Sequence, residues 1–377
     1  VTLEELRTRS SYKWRLYPAD ILPAFVAEMD YMLAPAIRDV IVEAAESGDT
    51  GYATPLAGLD EAFSAFARSR FDWEVDPRDV RLLPDVMGGV TELLRIALQP
   101  GDGVAINTPV YSPFFSHIAE AGCRVVEAPL ARSGDAYELD FDALTRAFES
   151  GARVYLLCNP HNPTGNVFFR SELERVAALA EQHDVLVFAD EIHAPLVLAG
   201  HAHTPFLSLG ETSASRGVSF MSASKAWNLP GLKCAQAVVA SDRTRALAEP
   251  LRGLDFISRI GNVGVLATIA AYRDSVAWLD DLLAALDRNR VLLRDLLSEM
   301  VPGARYTPPD ATYLAWVDCS ALHLDTEPAD VFRERGRVAL GRGSEFGAAG
   351  KGFVRITFAT TPTILREIVS RMTSALR

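Results

Sequence analysis

Long hydrophobic runs are missing from this 377-residue sequence. The longest apolar stretches, such as Val185–Ala189 and the interrupted Val263–Ala271, fall far short of the roughly 20 residues that a membrane-spanning helix needs. An excess of basic residues is missing too. The formal charge of -12 argues against a nucleic-acid or membrane-surface binder, because both need a basic face. An anionic small ligand is still allowed, since it needs only a local cluster of donors. Cysteine is sparse: Cys123, Cys158, Cys234 and Cys319 are scattered, with no Cys-x-x-Cys pair. Reduced thiols in a cytoplasmic protein are therefore expected, not a disulfide framework. Val1–Arg7 is acidic and amphipathic, without the basic-then-apolar pattern of a secretory signal. Repeats and low-complexity tracts are also lacking. Gly341, Gly343 and Gly347 lack the spacing of a dinucleotide fingerprint. His193, His201 and His203 have no cysteine or carboxylate spacing to complete a metal site.

What is present is ordinary globular composition, 49% hydrophobic and 23% charged, with enough chain for more than one domain. Residues 1–35 are rich in aromatics and proline, which suits an ordered arm lying on another surface. From Gly103 onward strands and helices alternate. Strands are expected at Gly103–Thr108, Cys123–Pro129, Val154–Cys158, Val185–Ala189 and Val218–Met221, with helices between them. These strands are continuous and apolar, the mark of a parallel sheet buried on both faces. Past Leu251 the character changes to long helical patterns over Asn262–Met300, then a compact α+β unit. The expected division is an arm over 1–40, a large domain over 41–270 and a small domain over 271–377.

In such sheets ligands gather at the carboxyl ends of the strands, and polar residues stand at those ends here. They are Thr108–Tyr111, Asn159–Gly165, Asp190–His193 and the loop Ser222–Lys233. Lys225 follows a buried strand, so desolvation would lower its pKa and free the amine to form a Schiff base with an aldehyde such as pyridoxal phosphate (PLP). Asp190 at a strand mouth calls for a cationic partner, and a protonated pyridine would be one. Asn162 offers a donor to a phenolate oxygen, and Tyr111 a ring to stack. Ser222, Ser224 and Lys233 suit a phosphate, together with a helix expected to begin near Val90 behind Gly88-Gly89. Arg355, flanked by apolar residues in an expected strand, suits a carboxylate. Each residue type also has a plain structural use: surface lysine, N-cap, turn asparagine or internal salt bridge.

Taken together and in this order, these features resemble the fold-type I PLP enzymes of the class I/II aminotransferase superfamily. The nearer resemblance is to the cystathionine β-lyase-like carbon–sulfur lyases of the MalY/PatB type. It rests on Lys13-Trp14, Val26-Ala-Glu-Met-Asp30-Tyr31, Gly51-Tyr52 and Cys158-Asn-Pro-His-Asn-Pro-Thr-Gly165. It continues through Asp190-Glu-Ile-His193, Ser224-Lys-Ala-Trp-Asn-Leu-Pro-Gly-Leu-Lys233, Ala311-Thr-Tyr and Phe346–Ala359. The fold implied is α/β: a large PLP-binding domain with a mostly parallel central sheet covered by helices, and a smaller α+β domain completed by the N-terminal arm.

The resemblance also implies roles. Lys225 would be the Schiff-base lysine and proton acceptor, Asp190 the pyridinium partner, and Tyr111 the stacking ring, these three forming the catalytic set. Asn162 and His193 would contact the ring hydroxyl. Val86, Met87, Gly88, Ser222, Ser224 and Lys233 would hold the phosphate, and Tyr52 would reach the phosphate of a neighbouring subunit in a homodimer. Arg355, with Asn162, Asp30 and Tyr31, would meet the amino-acid substrate, and Met29–Tyr31 would line its entrance. The implied reaction is cleavage of L-cystathionine or related cysteine S-conjugates to a thiol, pyruvate and ammonia. Transamination is the alternative, and a non-catalytic PLP-fold regulator a third reading. The chain departs from the family at Glu28 (usually aspartate), Asp310 (usually glutamate), Trp227 (usually phenylalanine) and Val86–Gly89.

Overall fold

The computed structural model describes residues 1–54 and 58–377. Pro55, in the turn-rich loop expected at Thr50–Pro55, lies outside them. Among the described residues a seven-stranded sheet forms the centre. Across it the strands run Val80–Leu83, Ala235–Val239, Gly217–Met221, Leu186–Asp190, Ala152–Cys158, Gly103–Ile106 and Arg124–Glu127. Ala235–Val239 is antiparallel to both its neighbours, and the other pairings are parallel.

The alternation of side chains explains why the inner strands are largely apolar. Val154, Leu156 and Cys158 enter one hydrophobic cluster, while Tyr155 and Leu157 enter the other on the opposite face. Both faces are therefore core, and a polar side chain there needs a buried partner, as Ser219 finds in Glu191. The edge strand Arg124–Glu127 is the exception, with both terminal residues exposed. Ala235–Val239 was not expected from the sequence, because Gln236 interrupts a short run of alanines. That amide is fully buried and donates to the Tyr272 hydroxyl at 2.6 Å.

A second, antiparallel sheet orders Arg305–Tyr306, Leu314–Asp318, Phe353–Thr357 and Gly341–Arg342. The helical pattern over Asn262–Met300 is split at Ser275 into Asn262–Asp274 and Val276–Met300. The break has a use. The Ser275 carbonyl accepts the indole N–H of Trp227 at 3.0 Å, and Trp227 packs edge-on against Phe66 and Tyr272. A buried indole needs such an acceptor, so the larger ring in the lysine loop is accommodated by this gap between helices.

The N-terminal arm is ordered by tertiary bonds. Leu22–Pro23 pairs in parallel with Val338–Ala339. Arg9 donates to the carbonyls of Met29 and Tyr31 at 3.0 and 2.9 Å. No helix among the described residues is long and apolar enough to cross a membrane.

Candidate active site

Lys225 is delivered by a one-turn helix, Ala223–Ala226, directly after the strand Gly217–Met221. Ser222 caps that turn: its hydroxyl accepts from the Ser224 N–H at 3.0 Å and donates to the Cys234 carbonyl at 2.8 Å. The Lys225 amine donates to the Ala27 carbonyl at 3.2 Å and has no carboxylate partner among the described residues. Burial, with Arg355 nearby, pulls its pKa down to about 8.

Asp190 ends the neighbouring strand, in register with Cys158 on one side and Phe220 on the other. It is buried, and its carboxylate accepts the Ile192 N–H at 3.2 Å. Burial pushes its pKa up to about 7, against the opposing effects of that bond and of Lys225. A buried carboxylate with no ion pair and a buried amine with no ion pair thus face one cavity of about 390 Å³. Holding either group charged there is costly, and a ligand that offers a cation to one and an aldehyde to the other would answer both.

Other walls of this cavity carry Tyr111, Asn162 and His193. Burial and the Asp190 charge push the Tyr111 phenol up to about 12, so it stays protonated. His193 is buried with Nδ1 unpartnered, and burial beside Lys225 and Arg355 brings it down to about 3, a neutral imidazole. Asn162 stands in the turn at Gly165, whose φ of +77° and lack of Cβ are both required. A Cβ there would lie 2.2 Å from that of Pro309. Asn162 Oδ1 accepts from Arg355 Nη1 at 3.2 Å, and Arg355 Nη2 donates to the Phe25 main-chain carbonyl at 2.8 Å. Arg355 Nε has no partner, and no carboxylate pairs with this guanidinium among the described residues.

The opposite end of the cavity is an anion cradle. The helix Val86–Ala97 begins at Val86, four residues earlier than expected, with Gly88 and Gly89 inside its first turn. Its N-cap is Asp85, whose Oδ1 accepts the Gly88 N–H at 2.7 Å and whose Oδ2 accepts from Lys233 at 3.0 Å. Burial works to raise the Asp85 carboxyl, but those two donors bring it below its usual value. Val86, Met87, Ser222, Ser224 and Lys233 line this end, and the first N–H groups of a helix are free to take an anion. The Gly88 N–H is not free, because Asp85 holds it.

Two further expectations are corrected. Asp30 and Tyr31 do not line the cavity. The Asp30 carboxylate forms a buried ion pair with Lys13 at 2.8 Å, and the Tyr31 hydroxyl donates to the Thr360 carbonyl at 2.7 Å. Nor does Met29 line the entrance; Phe25, Val26 and Ala27 do, where the same strap passes over Lys225 and Arg355. Tyr52 is 84% exposed and does not line this chain's own cavity. Asp85 was overlooked in the sequence, although an aspartate before a helical run is an N-cap signal.

The donor set fits PLP: an amine for the aldehyde, a carboxylate for the ring nitrogen and a cradle for the phosphate. A family model for "Aminotransferase class I and II" matches residues 26–372. The chain belongs to that family. Cystathionine beta-lyase of Corynebacterium glutamicum is 33% identical, over 99% of each chain. A Mycobacterium leprae relative provisionally named cystathionine beta-lyase is 44% identical, over all of this chain and 97% of its own. Among solved structures, cystalysin from Treponema denticola, which contains a pyridoxal 5'-phosphate cofactor, superposes with a TM-score of 0.93 at 25% identity. That match covers all of this chain and 97% of cystalysin. This class I and II family member shares its whole length with carbon–sulfur lyases.

Proposed function

We propose that this chain is a PLP-dependent carbon–sulfur β-lyase that cleaves L-cystathionine or related cysteine S-conjugates to a thiol, pyruvate and ammonia. The observation that carries it is the facing pair of Lys225 and Asp190, each buried without an ion-pair partner, below a guanidinium that has no carboxylate. The lyase names of its full-length relatives favour elimination over transamination. PLP, when bound, supplies an electron sink for the bond broken at Cα.

The chain's own residues then divide the work. Lys225 holds the cofactor and, once released, takes the Cα proton; an amine brought to about 8 is close to neutral pH and suited to that transfer. Asp190 keeps the ring nitrogen protonated. Asn162 and His193 would contact the ring hydroxyl, and Tyr111 would stack on the ring. Arg355 takes the substrate α-carboxylate, its guanidinium already aimed by Asn162 and the Phe25 carbonyl. Val86, Met87, Ser222, Ser224 and Lys233 hold the phosphate.

The working assembly in this reading is a homodimer, in which the exposed Tyr52 completes the phosphate site of the second copy. The working domain division is arm 1–40, large domain 41–270 and small domain 271–377. A reducing, cytoplasmic setting suits its four free thiols. The test is pyruvate formation from L-cystathionine by the PLP-loaded protein and by Lys225→Ala. Loss in the variant together with retained fold supports the reading; equal activity in both proteins would sink it.

A further inference from the structure

The antiparallel sheet that carries Arg355 is gripped at its other end. Trp316 is the cross-strand partner of Arg355, and Asp318 that of Phe353. Directly paired residues, and those two apart, share one face of an antiparallel pair, so these four side chains form a row. Arg355 ends the row at the substrate cavity. Asp318 and Phe353 end it against a hairpin in which Ala131–Ser133 pairs with Ala136–Glu138.

Two side chains of this hairpin hold the far end. Arg132 donates to Asp318 Oδ2 at 2.9 Å, and its guanidinium lies 5.0 Å from the centre of the Phe353 ring. The Tyr137 hydroxyl accepts the Trp316 indole N–H at 3.2 Å. Trp316 stacks on Phe353 at 4.9 Å with 12° between the planes, and meets Phe346 edge to face at 5.2 Å. The Phe346 ring centre is in turn 4.9 Å from the guanidinium carbon of Arg355. Contacts therefore run without a gap from Arg132 to the Arg355 guanidinium. Packing alone does not fix these rings. Trp316, Phe353 and Tyr137 border a second cavity of about 490 Å³, which shares no lining residue with the cofactor cavity. On that side there is room to move, and the polar contacts of the hairpin do the holding. Neither Arg132 nor Tyr137 lines the cavity at Lys225 or its entrance.

We propose that Arg132 and Tyr137 are positioning residues for Arg355, acting through Phe353, Trp316 and Phe346. The inference rests on the reading that Arg355 takes the substrate α-carboxylate. Asn162 and the Phe25 carbonyl aim the guanidinium through hydrogen bonds, and the Phe346 ring supports it from another side. Without the hairpin contacts the ring stack slips toward the second cavity, and the guanidinium fork turns away from the carboxylate it must meet in two places.

The experiment measures the dissociation constants of L-alanine and L-alaninamide for the PLP-loaded protein by cofactor absorbance. The two ligands share an amine and differ at the carboxylate, so their ratio reports the contact with Arg355. Arg132→Gln is expected to cut the preference for L-alanine about tenfold and Tyr137→Phe about threefold, with part of the loss restored in Arg132→Lys. A general loosening of the fold would weaken both ligands alike and leave the ratio unmoved. Asp318 keeps Arg305 at 2.8 Å, so Arg132→Gln strands no carboxylate; should it still fail to fold, Tyr137→Phe decides. Arg355→Gln is the control. A ratio lost in Arg355→Gln but kept in the hairpin variants overturns the positioning role alone. A ratio that Arg355→Gln also leaves unchanged sinks the carboxylate role of Arg355 on which the inference rests.

Discussion

Asp85 places a negative charge beside the residues proposed to hold the phosphate, and Asp85→Asn should then make the site bind PLP more tightly. Asparagine caps a helix as well as aspartate does, so the Gly88 N–H keeps its acceptor and the helix Val86–Ala97 keeps its start. What changes is Lys233. In the wild-type chain its ammonium is 3.0 Å from Asp85 Oδ2; in the variant its full charge faces the phosphate. Both side chains are about half exposed, at 57% and 42%, so solvent screens the pair and its worth is about 1 kcal/mol. That converts to a roughly fivefold lower Kd for PLP. The assay is equilibrium binding of PLP to cofactor-free protein by absorbance. Alongside it, inorganic phosphate should raise the Tm of the cofactor-free variant more than that of the wild type. A weaker Kd in the variant would refute the reasoning and mean that Asp85 orients Lys233 for the phosphate instead of competing with it.

Two further outcomes are expected. Asp30→Asn strands the Lys13 ammonium, whose side chain is 1% exposed, and should destabilise the fold by about 3 kcal/mol in urea titration; a loss below about 1 kcal/mol would mean the pair is not buried as described. Asp190, raised by burial from 3.8 to about 7, binds a proton in the folded cofactor-free chain that the unfolded chain has released. Its contribution is complete below about 4 and is lost as pH rises through about 7. The Tm of the cofactor-free protein should therefore fall over that window, and fall less in Asp190→Asn. Identical pH slopes in the two proteins would contradict the assignment.

The sheet was readable because a strand with core on both faces has little freedom to be polar, as Val154–Cys158 and Val185–Ala189 illustrate. Ala235–Val239 escaped that reading because its one polar side chain, Gln236, finds its partner on a distant helix at Tyr272, and no local pattern encodes such a partner. The cavity lining was readable where a residue stands at a strand end, as Asp190 and Lys225 do. It was misread where burial decides: nothing in Met29-Asp30-Tyr31 distinguishes a substrate contact from an internal ion pair with Lys13. The main-chain acceptors at Phe25 and Ala27, which hold Arg355 and Lys225, have no side-chain signature at all.

The most direct test of the lyase is a turnover count. PLP-loaded protein is given L-cystathionine with no 2-oxo acid, and pyruvate and free thiol are measured per active site. Elimination predicts equal amounts of the two products, continuing through many turnovers. A single turnover that bleaches the cofactor, restored only by adding a 2-oxo acid, would contradict the account and make the chain an aminotransferase.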